Sequence, residues 1–121
     1  MSKNKIETAL DYLRNGQLII VADDDDREAE GDLVGIANLA TMESVNFMTK
    51  FARGLICAPI SAQLADRLQL TEMVAQNTDT FKTAFTISVD HRSTTTGISA
   101  EERARTIRAL ANPQTKEEDF Q

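Results

Sequence analysis

Ten residues, Asp23 to Asp32, constrain this chain more than any others. They read Asp-Asp-Asp-Asp-Arg-Glu-Ala-Glu-Gly-Asp, with seven carboxylates and one arginine. The stretch Gln17–Ala22 before them and the stretch Leu33–Ala37 after them are apolar runs that read as buried strands. Like charges packed at close range repel and raise one another's pKa, so carboxylates held between two apolar strands call for a counter-charge. Oxygen donors without neighbouring thiolate or imidazole suit a hard cation, Mg²⁺ before zinc or copper. If the loop runs extended, Asp26, Glu28, Glu30 and Asp32 share one face, with Arg27 on the other. Gly31 then lets the backbone turn or approach a ligand closely. The competing reading is a solvated acidic turn that only keeps an edge soluble. An EF-hand is excluded, because the twelfth position counted from Asp26 is Ala37 rather than glutamate and the flanks read as strands.

The 121 residues suffice for one domain, residues 1–121, with a core of small aliphatic side chains, since only five phenylalanines and one tyrosine are available. A net charge of −6 argues against nucleic acid and against an anionic membrane surface as partners. One cysteine, Cys57, allows no intrachain disulfide and favours a cytoplasmic location. There is neither an apolar signal core at the N-terminus nor an apolar run of membrane-spanning length.

Periodicity predicts a helix over 4–14 ended by Gly16, strands at 17–22 and 33–38, and a helix at 42–52 capped by Thr41. It predicts a buried strand at 55–60 ended by Pro59, and a short helix at 62–68 capped by Ser61. A strand at 84–89 follows, with Phe85, Ile87 and Val89 toward the core. A helix at 100–111 starts from a Ser99–Glu102 capping box and stops at Asn112-Pro113, and the polar tail from Gln114 reads as frayed. The pattern is a layered α+β domain, a mixed sheet flanked by helices. A doubly wound nucleotide fold is excluded, since neither its glycine fingerprint nor a Walker lysine is present.

The loop Thr94-Thr95-Thr96-Gly97 precedes a helix N-terminus. Its amides and hydroxyls, with Arg103, are candidates for a phosphate or sugar, against the plain reading of a polar loop with a cap. Cys57 reads as a buried inert thiol, and His91, the only histidine, as a surface residue. No Ser-His-Asp or Cys-His constellation can be assembled.

Four stretches carry a resemblance. Asp23 to Asp32 is similar to D-D-E-D-R-E-N-E-G-D, and Arg53-Gly54-Leu55-Ile56-Cys57 to R-G-L-I-C. Thr83 to Asp90 is similar to T-A-F-T-V-S-V-D, and Thr95 to Ile107 to T-T-G-I-S-A-x-x-R-A-x-T-I. In this order they resemble the 3,4-dihydroxy-2-butanone 4-phosphate synthases of riboflavin biosynthesis, which convert D-ribulose 5-phosphate to formate and 3,4-dihydroxy-2-butanone 4-phosphate. The resemblance implies Mg²⁺ or Mn²⁺ as cofactor and a homodimer sharing its sites. It implies Glu28 as metal ligand and substrate contact, Arg27 and Asp32 as substrate contacts, and Glu30 as a proton-transfer group. Cys57 becomes a catalytic pocket residue, and Thr95 and Thr96 line the substrate site.

Two departures accompany it. Ala29 stands where the family has asparagine. The family also continues, after a segment like Glu118-Asp119-Phe120, into R-P-G-H and G-G-H-T-E, which carry a second metal ligand and further site residues; this sequence ends at Gln121. The expectation is the N-terminal portion of such a synthase, alone or from a bifunctional protein fused to GTP cyclohydrolase II. The alternatives are a non-catalytic dimerising relic or interaction module, and another metal-assisted sugar-phosphate enzyme on the same scaffold.

Overall fold

A computed structural model describes residues 3–24, 26 and 29–121. Arg27 and Glu28, two of the expected site residues, lie outside the described residues, as does Asp25.

Helix α1 spans Lys5–Arg14, and the Asn4 side chain accepts from the Glu7 N–H at 2.8 Å to cap it. Gly16, at φ +78°, ends it, and the chain enters β1 (Ile19–Ala22). Strand β2 (Gly31–Val34) returns antiparallel, in the register Ile19↔Val34 through Ala22↔Gly31. A 3₁₀ turn, Ala37–Leu39, leads to α2 (Met42–Phe47). A reciprocal capping box starts α2: the Ser44 N–H donates to the Thr41 hydroxyl and the Thr41 N–H to the Ser44 hydroxyl, each at 3.0 Å. The helix then widens into a π-helical turn, Met48–Ala52. Ser61 caps α3 (Ala62–Arg67), and Ser99 caps α4 (Ala100–Ala111).

The packed centre lies where α4 crosses α2 and the 37–39 turn. Val45 and Ala104 are fully buried there, and Leu68 and Leu70 are buried nearby. The Arg108 guanidinium ties α4 to the entry of α2 by donating to the Ala40 carbonyl at 2.8 Å.

The α+β class stands, but the sheet is a two-stranded antiparallel hairpin among the described residues, not the expected mixed sheet. The segment 55–60 forms no ladder, Leu55 is 76% exposed, and Cys57 is exposed rather than buried. Segment 84–89 makes a single antiparallel bridge, Glu72↔Thr86, and Phe85 and Ile87 are exposed, not core-facing. The reason is shared by both. A run of β-prone residues becomes a strand only when another strand accepts its backbone groups, and these two meet no full partner among the described residues. The tail departs the other way. Asp90 and Gln121 exchange both backbone hydrogen bonds at 2.9 Å, and the Arg92 N–H donates to the Asp119 carbonyl at 2.8 Å. Thr115 is buried, and its carbonyl accepts from Arg67. The tail is pinned because its backbone finds the 90–92 segment, which no local signal announces. His91, expected at the surface, is half-buried edge-on to Phe120 at a centroid distance of 6.1 Å.

Candidate functional site

The acidic loop sits at the tip of the β1–β2 hairpin. The ladder runs one step beyond Ala22↔Gly31: the Asp23 N–H donates to the Glu30 carbonyl at 3.1 Å, and the Glu30 N–H to Asp23 Oδ1 at 2.8 Å. This clamp extends the pairing by one step and fixes the root of the Glu30 side chain. Of the four carboxylates expected on one face, Glu28 lies outside the described residues, and the described part of the loop is not extended throughout. Asp26 lies in a turn and Ala29 has φ +54°, a left-handed conformation that breaks the two-residue alternation. Asparagine tolerates that region better than alanine does, which gives the Ala29 departure a backbone cost.

Asp32 stands in β2 opposite Val21. With Ile20, Gly31 and Leu33 from the hairpin, and Phe47, Phe51 and Ala52 from the end of α2 and the π turn, it lines an open cleft. The Phe47 and Phe51 rings pack with centroids 4.6 Å apart. Asp24, Asp26, Glu30 and Asp32 are all exposed. Among the described residues no three His, Cys, Asp or Glu side chains converge as a metal cluster. The donor chemistry nevertheless fits a hard divalent ion, which binds through one or two carboxylates and keeps several waters.

Cys57 lies in the irregular run between the π turn and α3, with its thiol exposed and a long 3.9 Å contact to the Leu55 carbonyl. Just before it, Arg53 (φ +59°) and Gly54 (φ +62°) are both left-handed, which redirects the chain out of the π turn.

The threonine loop is built differently. Its three hydroxyls have three different fates. Thr94 is buried and donates to the His91 carbonyl at 2.8 Å. Thr95 donates from both its amide and its hydroxyl to Glu102 Oε1, at 2.7 and 2.9 Å. Thr96 is exposed. Glu102 Oε2 accepts from the Gly97 amide at 2.8 Å. Half of the expected capping box forms, since Ser99 Oγ accepts from the Glu102 N–H at 3.1 Å, but the Glu102 carboxylate reaches past Ser99 into the loop. These donors, first the Thr95 amide, hold the Glu102 carboxyl below the usual glutamate pKa. Gly97 has φ +73°, and a Cβ there would fall 2.2 Å from the Asp90 carboxylate. Sequence reasoning gave Glu102 a capping role only and left Asp90 out. The Thr-x-Gly spacing ahead of a helix-start glutamate is the signal that could have found the first; nothing local marks the second.

Beside the loop, the Ser93 hydroxyl lies 2.7 Å from His91 Nδ1, and the Ser93 N–H also donates to that nitrogen at 3.2 Å. Arg105 spans from Glu101 (2.7 Å) to the Ser93 carbonyl (3.0 Å). The structure thus places Glu30 and Asp32 together on the hairpin, Cys57 on an irregular segment, and Thr95 and Thr96 at the head of α4.

The family model described as 3,4-dihydroxy-2-butanone 4-phosphate synthase matches residues 7–121. The chain is 60% identical over 117 residues to the 3,4-dihydroxy-2-butanone 4-phosphate synthase of Oceanobacillus iheyensis, covering 97% of this chain and 56% of that protein. It is 56% identical over 116 residues to the riboflavin biosynthesis protein RibBA of Bacillus subtilis, covering 96% of this chain and 29% of that protein. Among solved structures, a 3,4-dihydroxy-2-butanone 4-phosphate synthase in complex with two magnesium ions superposes with a TM-score of 0.93 at 40% identity, over 98% of this chain and 56% of that one. The synthase of Candida albicans superposes with a TM-score of 0.86 at 45% identity, over 98% and 58%. The chain therefore spans between 29% and 58% of the length of these relatives.

Proposed function

Since the chain belongs to the 3,4-dihydroxy-2-butanone 4-phosphate synthase family, we propose that residues 1–121 form one domain carrying the acidic-loop, cysteine and threonine-loop part of a synthase site. The reaction is conversion of D-ribulose 5-phosphate to formate and 3,4-dihydroxy-2-butanone 4-phosphate. The observation that carries the reading is the match over residues 7–121 to a family whose solved structure contains two magnesium ions.

In this reading Glu28 holds Mg²⁺ or Mn²⁺, which when bound supplies Lewis-acid polarisation of the ketose oxygens. Arg27 offers a planar donor pair to the phosphate or hydroxyls of the sugar. Asp32, on a paired strand beside the cleft, accepts from substrate hydroxyls. Glu30 moves protons during enolisation, its main chain held by the Asp23 clamp. The exposed Cys57 thiol and the Thr95–Thr96 loop line the sugar site. A homodimer, a cytoplasmic location and the absence of nucleic-acid or membrane partners complete the proposal. The charge of −6 and the single cysteine support the last two, and no described helix is long and apolar enough to cross a membrane.

The test is formate release from ribulose 5-phosphate with Mg²⁺, by the chain alone and mixed with a polypeptide matching the remaining length of the Oceanobacillus iheyensis relative. Formate in either case supports the reading, and Glu28→Ala should lower it at least about 100-fold. No formate in both, with Mg²⁺-dependent substrate binding unchanged in Glu28→Ala, overturns it and favours a non-catalytic module.

A further inference from the structure

The amides at the head of α4 would ordinarily be candidates for an anion. Here they are already taken. The Glu102 carboxylate accepts from the Thr95 amide, the Thr95 hydroxyl and the Gly97 amide, all within 2.9 Å. These are the contacts a phosphate would make in the same nest. Glu102 is itself held in place, because its own N–H donates to the Ser99 hydroxyl and the next turn of α4 is locked by Thr106, which donates to the Glu102 carbonyl at 3.2 Å and accepts from the His91 N–H at 3.0 Å. The Asp90 carboxylate lies against Gly97 on the other side, adding a second negative group that repels an entering anion. Thr94 and Thr95 have spent their hydroxyls within the protein. The exposed Thr96 is the remaining hydroxyl of the three.

We propose that Glu102 is the positioning residue of the threonine loop: its carboxylate fills the amide nest in place of a phosphate, so the loop serves a sugar-phosphate ligand through the Thr96 hydroxyl and not through its backbone amides. This rests on the sugar-phosphate reading for its ligand, but the occupied nest can be tested without it. A loop so held presents Thr96 in one conformation before ligand arrives, which lowers the ordering cost of binding.

The experiment follows backbone amide resonances of the 121-residue chain during two titrations, one with inorganic phosphate and one with ribulose 5-phosphate plus Mg²⁺. In the parent chain, phosphate leaves the Thr95 and Gly97 amides in place. In Glu102→Ala, phosphate moves both, while ribulose 5-phosphate binds more weakly. Glu102→Gln retains one accepting oxygen and falls between them. Thr96→Val weakens ribulose 5-phosphate binding about three- to tenfold, and its Thr95 and Gly97 amides remain as unresponsive to inorganic phosphate as those of the parent chain. Unchanged Val45 and Ala104 core resonances show that each variant is folded. The proposal is overturned if phosphate moves the Thr95 and Gly97 amides in the parent chain, or if Glu102→Ala responds to both titrations as the parent does. If the parent chain binds no ribulose 5-phosphate either alone or mixed with a polypeptide matching the remaining length of the Oceanobacillus iheyensis relative, the sugar-phosphate reading is defeated and, with it, the role given to Thr96, whereas the phosphate titrations still decide whether Glu102 fills the nest.

Discussion

Two of the four stretches that carry the resemblance, the threonine loop and the acidic loop, are opposites in how they are held. The threonine loop is internally settled: Thr94 and Thr95 are bonded within the protein, its glycine stands where a side chain would collide with Asp90, and a carboxylate closes it. The acidic loop is clamped at its base by the Asp23–Glu30 pair, but above that clamp it carries exposed carboxylates and an alanine in a glycine-like conformation. A segment that satisfies its own polar groups is rigid before ligand arrives. One that concentrates like charge keeps its electrostatic cost until a cation is bound. Preorganisation and concentrated exposed charge thus sit in one small domain.

Substitutions at the two left-handed positions should have opposite signs. Gly97→Ala forces a Cβ into the Asp90 carboxylate at φ +73° and should destabilise by about 2 kcal/mol, read as a lower midpoint in urea unfolding. An unchanged midpoint would mean that the threonine loop is far less constrained than its geometry implies. Ala29→Gly, in the other loop, removes the penalty at φ +54° and should stabilise by about 0.5–1 kcal/mol by the same measurement. If it destabilises instead, loop flexibility in the unfolded chain outweighs relief of strain.

The smallest effect is expected from acid. Glu102 has its folded pKa lowered, so its contribution is present above the unfolded glutamate value and is lost as pH falls through the folded one. Stability should therefore drop a little more steeply on acidification in the parent chain than in Glu102→Gln. Parallel curves would show that the Thr95 and Gly97 donors do not discriminate between the charged and neutral carboxyl.

Much of the helical framework was readable because its signals are local. Thr41, Ser61 and Ser99 cap the helices they were expected to cap, and α1 and α4 run within a residue of the expected spans. The strand–loop–strand of the acidic hairpin was legible for the same reason, but its strands are largely exposed rather than buried as expected, Ile20 at 75% and Val21 at 48%, because a two-stranded hairpin leaves most of its surface uncovered. The segments at 55–60 and 84–89 misled because their β-prone composition says nothing about whether a partner strand is present. Cys57 was misplaced with them, for a thiol in an apolar run is buried only if something covers that run.

By itself, then, the sequence determined what depends on residues within a few positions of each other: caps, turns, the strand–loop–strand around the acidic stretch, and the four motifs that mark the family. The tertiary structure alone decided the pairings across long intervals. It joined residues 90–92 to 119–121, laid α4 across α2, and turned Glu102 from a helix cap into the closure of the threonine loop. The physical reason is that a hydrogen-bonding group takes whichever partner the packed chain brings within 3 Å, and composition names the group without naming that partner.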